Sequence, residues 1–329
     1  MNMLAALLSV AASSFIITLI FTKRLISLLT RINFTVEDAH KPGRPQIPKP
    51  GGPAIIAGII ASECILYTLN SDPRILALML VVGLTFIIGL IDDLYTLSGV
   101  IKPTLLILAS LPILLLGAYS PYPVFPIFHT PVRLTIVYPI LILAAIPITS
   151  NTFNSIDVLN GVVSSFASIA ATPLLIALLL KGEYLIALAS LPLITSSLAF
   201  YLYHRYPSRI FPGDSGSLSL GAMYGAIAIV GGVEVVGIIA LLPAILNSFF
   251  FLSSVRRFVE HRLVKARPVV MLDDGRMAAS KDPDAPITLV RLILAGGTLR
   301  EREIALEIVK LTSVSALLAI LTALTTWVV

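Results

Sequence analysis

Cysteine occurs once, as Cys64, and histidine four times, as His40, His129, His204 and His261. A lone cysteine excludes a disulfide framework and a cysteine-held zinc or iron–sulfur centre. The histidines are scattered, with no His-x-x-x-His pair to set two imidazoles on one helix face. Charge is scarce too. Asp, Glu, Lys and Arg make up 12% of the 329 residues, against roughly 25% in an average soluble domain. Hydrophobic residues reach 57% and mean hydropathy is +0.96. A water-soluble globule of that make-up would leave large apolar patches in solvent. The chain reads instead as an all-α polytopic membrane protein.

A net charge of +5 could suggest nucleic acid, but that reading needs a basic face on a soluble domain, so no nucleic acid is expected. The first apolar run, Met3 to Phe21, has no basic leader and no Ala-x-Ala site, so it reads as a retained span. Segments of spanning length, about 20 apolar residues each, fall near 3–22, 53–69, 75–91, 103–119, 133–150, 161–180, 184–203, 217–233, 235–254 and 308–329. About ten transmembrane helices are expected. Of the 23 Lys and Arg, 20 fall in loops 1–2, 3–4, 5–6, 7–8 and 9–10, and three in the alternate loops. The positive-inside rule puts those five loops in the cytoplasm and both termini outside.

Topology explains the basic residues of that side but not its acids. Asp92, Asp93, Asp157 and Asp214 all lie at or beside span ends there. Clustered carboxylates at one membrane edge suit a divalent cation. Glu63 lies inside span 2, and is either functional or snorkels to the interface. In the last and longest insertion, 255–307, residues 268–279 read as a β-hairpin turning at Asp274-Gly275. Ile287 to Leu294 reads as a short interfacial helix ended by Gly296-Gly297, and Thr298 to Glu301 as a capping box for span 10.

Three motifs carry chemistry. Span 3 ends in Asp92-Asp93, with Lys102 further on; two adjacent carboxylates repel unless a cation holds them, and alone they could be ordinary helix-end charges. Asn151, Asn154, Asp157 and Asn160 recur every third position, which aligns them on one helical face. At a membrane edge such a row needs a partner, and an amide suits magnesium or a nucleobase. Gly213-Asp214-Ser215-Gly216 opens span 8, where small residues and free amides favour phosphate; the bland alternative is a capped helix start.

In this order the motifs resemble the polyprenyl-phosphate N-acetylhexosamine-1-phosphate transferase family, of bacterial cell-wall and dolichyl-phosphate enzymes. The loop from Asp38 to Gly52 is similar to that family's first cytoplasmic loop. The resemblance implies one integral membrane transferase domain over 1–329 and a magnesium cofactor, with Mn²⁺ as a substitute. By it Asp92, Asp93 and Lys102 are catalytic, and Asn154 and Asp214 hold the metal. Asn160 matches a uracil-contacting asparagine of the dolichyl-phosphate branch, whereas Asp157 looks like a bacterial Asp-Gly motif. Glu260-His261-Arg262 matches two of three positions of that branch's sugar-contacting Arg-His-Arg. Asn151, Asp157, Asn160, Gly213, Ser215, His261 and Arg262 are thereby expected to bind substrate.

The implied partners are a UDP-sugar, a polyprenyl or dolichyl phosphate, membrane lipid and a second copy of the chain. The implied reaction is transfer of N-acetylglucosamine-1-phosphate with release of UMP on the cytoplasmic face, as in the first step of lipid-linked glycan assembly for N-glycosylation. The location is the archaeal or bacterial plasma membrane, or the ER if the source is eukaryotic. A bacterial-type undecaprenyl-phosphate transferase is the alternative within the family. A secondary transporter or flippase is the alternative outside it, and would place charges at mid-membrane.

Overall fold

The computed structural model describes residues 3–126, 131–255 and 266–328. Helix α1 (Met3–Arg31) leads into an antiparallel ribbon of β1 (Thr35–Glu37) and β2 (Gln46–Pro48). Next come α2 (Gly52–Asn70), α3 (Pro73–Tyr95), the short pair α4 (Ile101–Ala109) and α5 (Leu111–Leu115), and α6 (Val137–Ile156). Then follow α7 (Val162–Lys181), α8 (Tyr184–His204), α9 (Gly213–Gly231), α10 (Glu234–Ala240) and α11 (Leu242–Val255). A hairpin of β3 (Val269–Met271) and β4 (Met277–Ala279), then α12 (Leu289–Leu294) and α13 (Glu301–Trp327), complete the described chain.

The molecule is a polytopic helical membrane protein. Among the described residues α1, α2, α3, α6, α7, α8 and α13 are long and apolar enough to span, and α10 with α11 adds an eighth candidate bent by 67°. All ten expected segments are helical, but two of them differ from the other eight. Residues 101–115 could reach only about 22 Å at ~1.5 Å per residue, short of a hydrocarbon core of ~30 Å. Helix α9 runs from the Asp93 end of the bundle to the Lys181 end but is too polar to count as a span by composition alone; every one of its residues is buried, so its polar groups meet protein. It meets other helices in place of lipid.

That burial depends on small residues. A Cβ on Gly89 of α3 would come within 2.6 Å of the Asp214 carbonyl, and one on Gly221 of α9 within 2.7 Å of Ser150 Cα. Small side chains let backbones approach where no hydrophobic drive separates helix from lipid. α9 thus packs along α3 and α6.

The loops that hold most of the basic residues meet at one end, where Asn160 bonds to Asp38, Ser208 and Glu301, and Asp93 pairs with Lys49 and the start of α9. At the opposite end Arg74 pairs with Asp72 and Glu183. Lys181 Nζ there donates to the carbonyls of Gly231 and Gly232, a cation at the negative terminus of α9. Glu63 is fully buried in α2, and neither carboxyl oxygen has a hydrogen-bond partner among the described residues, so it does not snorkel.

The hairpin expected at 268–279 is present, with Val269 opposite Ala279 and Gly275 at φ +77° in its turn. α12 is present as well, with the Thr288 side chain accepting from Arg291 N. The capping box falls two residues later than expected. Arg300 takes the cap position and its N–H donates to Glu303 Oε2 at 2.7 Å, so Thr298 is not the cap.

Gly221→Ala should cost about 1–3 kcal/mol by overpacking the α6–α9 contact. Gly83→Ala, with nothing within 4 Å of its Cβ, should cost nothing. Thermal unfolding in detergent checks both; equal midpoints would contradict the close approach.

Candidate active site

The first turn of α9 is held by a carboxylate from another helix. Asp93, in the last turn of α3, accepts Asp214 N–H on Oδ1 and Ser215 N–H on Oδ2, each at 2.9 Å. These are amides that the helix cannot satisfy itself, and an anion there also meets the positive end of the helix dipole. Gly213 makes room: it sits at φ +73°, and a Cβ on it would come within 2.6 Å of Asp93 Oδ2. Lys49, just beyond β2, places Nζ 3.0 Å from Asp93 Oδ1 and 4.0 Å from Asp214 Oδ1.

Asp92 points elsewhere. It is fully buried; Oδ1 accepts Leu97 N–H at 2.6 Å and Oδ2 accepts Lys102 Nζ at 3.1 Å. Lys102 also donates to Asp214 Oδ2, which places its ammonium between two carboxylates. The adjacent aspartates therefore do not share a cation. One caps α9, and the other anchors Lys102 against it.

Asn154 faces the same point, with Nδ2 3.4 Å from Asp214 Oδ2 and Oδ1 accepting the Ser217 hydroxyl at 2.9 Å. The four-residue helical row is corrected here. α6 ends at Ile156, so only Asn151 and Asn154 lie on the helix, and Asp157 and Asn160 belong to the turn before α7. Asn151 bonds back to the Pro147 carbonyl of its own helix at 2.8 Å and does not line the cleft. Ser215 is also corrected. Its hydroxyl is buried without a hydrogen-bond partner, packed against Gly52, and only its backbone N–H takes part. His261 and Arg262 lie outside the described residues.

A cleft of about 330 Å³ opens at this end, lined by Lys49, Asn154, Asp157, Asn160 and Asp214, among others. A second cavity of about 570 Å³ adjoins it across His40, Val158 and Leu159, and is lined by Arg44, Arg267 and strand β3. Burial holds His40 below the usual imidazole range, an effect that Lys41 and Arg267 reinforce and Asp38 opposes. Asp157 is pushed up to about 8, first by burial and then by Asp214 and Asp93, with Lys49 opposing. In the sequence Asp38, Lys41 and Lys49 read only as part of a loop, and Glu301 only as part of a capping box, none of them as a site residue. Loop lysines look like topology, and the partner acids lie far away along the chain.

Four aspartates thus converge with two lysines, and even with Asp157 protonated three carboxylates face two ammonium groups, an excess of negative charge that a divalent cation would relieve. Among the described residues no three His, Cys, Asp or Glu side chains stand close enough to hold a metal unaided. Magnesium ordinarily takes one or two protein oxygens and completes its shell with water and substrate phosphate. Asp214 fits that requirement, and Asn154 does so once its amide turns over, since here Nδ2 faces Asp214 and Oδ1 accepts from Ser217.

Lys102→Ala should destabilise the fold by about 3–5 kcal/mol, since it leaves buried carboxylates without their ammonium. Adding Asp92→Asn should restore part of the loss, and a double-mutant cycle on thermal unfolding reads the coupling. Strictly additive effects would contradict this pairing.

The glycosyl transferase family 4 model matches residues 75–232, which carry Asp92, Asp93, Lys102, Asn154 and Asp214. A Saccharolobus solfataricus protein named as a UDP-N-acetylglucosamine–dolichyl-phosphate N-acetylglucosaminephosphotransferase is 30% identical over 100% of both chains. A Sulfolobus acidocaldarius protein of the same name is 29% identical over 97% of this chain and 96% of its own. A Bacillus subtilis protein named as an undecaprenyl-phosphate N-acetylglucosaminyl 1-phosphate transferase is 27% identical over 66% of this chain and 62% of its own. The similarity runs the full length of the chain, and the family match covers the helices that build the cleft: the chain belongs to glycosyl transferase family 4.

Proposed function

We propose that the chain transfers an N-acetylhexosamine-1-phosphate from its UDP-sugar to a polyprenyl phosphate and releases UMP. One observation carries this. Asp214, Asn154, Lys102 and Lys49 converge at the end of spanning helices, where a lipid-borne phosphate and a water-borne nucleotide can meet. The full-length relatives favour N-acetylglucosamine as the sugar and dolichyl phosphate as the acceptor.

The lipid phosphate oxygen attacks the sugar-bearing phosphorus, the bond to the bridging oxygen breaks, and UMP carries that oxygen away. Such a transfer needs positioning and charge neutralisation above all. Lys102 and Lys49 supply fixed positive charge beside the site. Asp214 and the Asn154 amide would hold magnesium, which supplies charge neutralisation on the diphosphate. A phosphate monoester has a second pKa of about 6, so it is largely ionised already and needs no strong base. That agrees with the aspartate pair: Asp92 and Asp93 are both committed, to Lys102 and to the α9 amides, and neither stands as an idle base. Direct attack is favoured over an aspartyl-phosphate intermediate for that reason. His261 and Arg262 are assigned to the sugar phosphate, and the cleft end to the cytoplasm.

Purified protein given UDP-N-acetylglucosamine, dolichyl phosphate and Mg²⁺ should release UMP, stop in EDTA and recover with Mg²⁺ or Mn²⁺. Full activity in EDTA would remove the metal assignment. A greater rate on undecaprenyl phosphate would favour the bacterial-type reading.

Orientation is tested separately. Arg276 lies exposed in the hairpin. In a Cys64→Ser background, Arg276→Cys should resist an impermeant maleimide in intact cells and react once they are opened. Labelling in intact cells would reverse the assigned sides.

A further inference from the structure

Asn160 sits where four separate stretches of chain are tied together. Its Oδ1 accepts from Lys41 Nζ and from Ser208 N–H, the latter at 2.7 Å. Its Nδ2 donates to Asp38 Oδ2 at 3.2 Å, and its backbone N–H donates to Glu301 Oε1 at 2.8 Å. Lys41 Nζ also donates to Asp38, lies 3.5 Å from Glu301 Oε2, and stands 5.0 Å from the centre of the Tyr206 ring. Glu301 is only 4% exposed. Capping of α13 does not require it, because Glu303 takes that role.

The structure assigns Glu301, with Asp38 and Lys41, as a latch that positions the 157–160 wall of the cleft and so sets affinity for the nucleotide-sugar. This rests on the reading of the cleft as the UDP-sugar site. The turn between α6 and α7 has no regular structure of its own, and a segment of that kind is ordered only by what ties it down. A wall ordered in advance lowers the cost of ordering it on binding, and that gain appears as affinity. The latch acts on the wall of the cleft and not on the reacting phosphates. The partners of Glu301 are Asn160 and Lys41. Both oxygen lone pairs of Asn160 are engaged, which leaves one Nδ2 hydrogen to offer a ligand.

Steady-state kinetics on the full-length protein test this. Glu301→Ala removes the acceptor for Asn160 N–H and the second partner of Lys41. Glu301→Gln keeps a carbonyl oxygen for Asn160. Losing a hydrogen bond to a charged group corresponds to about ten- to a hundredfold in affinity. Glu301→Ala should raise KM for UDP-N-acetylglucosamine by that factor and weaken UMP binding, measured without lipid, to match. kcat and KM for dolichyl phosphate should stay within about twofold, and Glu301→Gln should recover most of the loss. An unchanged donor KM, or a fall in kcat with UMP affinity intact, would overturn the latch. If Glu301→Ala does not purify, Asp38→Asn and Glu301→Gln take its place; each should raise the donor KM by a smaller factor, and an unchanged value in both overturns it. Wild-type protein that releases no UMP sinks the transferase reading itself, whereas active wild type with an unmoved donor KM in the variants sinks only the latch.

Discussion

A carboxylate on the last turn of α3 accepts the first amide hydrogens of α9, and the rest of the site is referred to that contact. With Asp93 across its N-terminus, α9 begins at a fixed depth and angle. Asp214, whose own N–H is one of the two donors, is thereby aimed at Lys102 and Asn154. An anion at a helix start contributes roughly 0.3–1 kcal/mol at a surface and up to ~2 in a partly buried setting. That is modest for stability. It is decisive for geometry, because both oxygens and two successive amides are engaged at once.

The second constraint is charge. Two lysines hold apart acids that would otherwise repel, one buried between Asp92 and Asp214 and one at the cleft beside Asp93. Asp157 remains over, and burial among the other acids raises its affinity for a proton. A site with surplus acid and fixed ammonium groups is suited to a polyanion that arrives with a dication. On the proposed reading the ammonium groups would meet phosphate, and the acids metal. Either ligand alone would face an uncompensated partner, which gives a physical reason for the two to bind as a pair.

The membrane shapes the framework around these contacts. α9 is enclosed on all sides, so glycine, serine and alanine serve it better than leucine, and its polar N-terminus meets no lipid. The pair α4–α5 is short, and it starts at Ile101, so that Lys102 enters the protein in its first turn. Both features belong to the helices that form the cleft. The longer helices α1 and α13 carry more lipid-facing surface, and among the described residues the α9 start is held from α3 instead.

Local chemistry sufficed for the helical segments, the uneven charge of the loops, the 268–279 hairpin, and Asp92, Asp93, Asn154 and Asp214 as the residues of interest, while Lys102 came from the resemblance to a known family. Hydropathy, turn residues and motif spacing are all read over a few neighbouring positions. What they could not supply was direction. Period-three spacing put Asn151 to Asn160 on one helix, but α6 stops at Ile156, and Asn151 turns back on its own backbone. Ser215 belonged to a phosphate-like motif, yet its hydroxyl faces Gly52. Lys41, Lys49 and Glu301 looked like ordinary loop and helix-start charges, until folding set Lys41 and Glu301 against Asn160 and Lys49 against Asp93. Composition and spacing along the chain decided which groups are present and on which end of the bundle they lie. Only tertiary packing decided which of them face one another, because a partner dozens of residues or more away leaves no trace in local sequence.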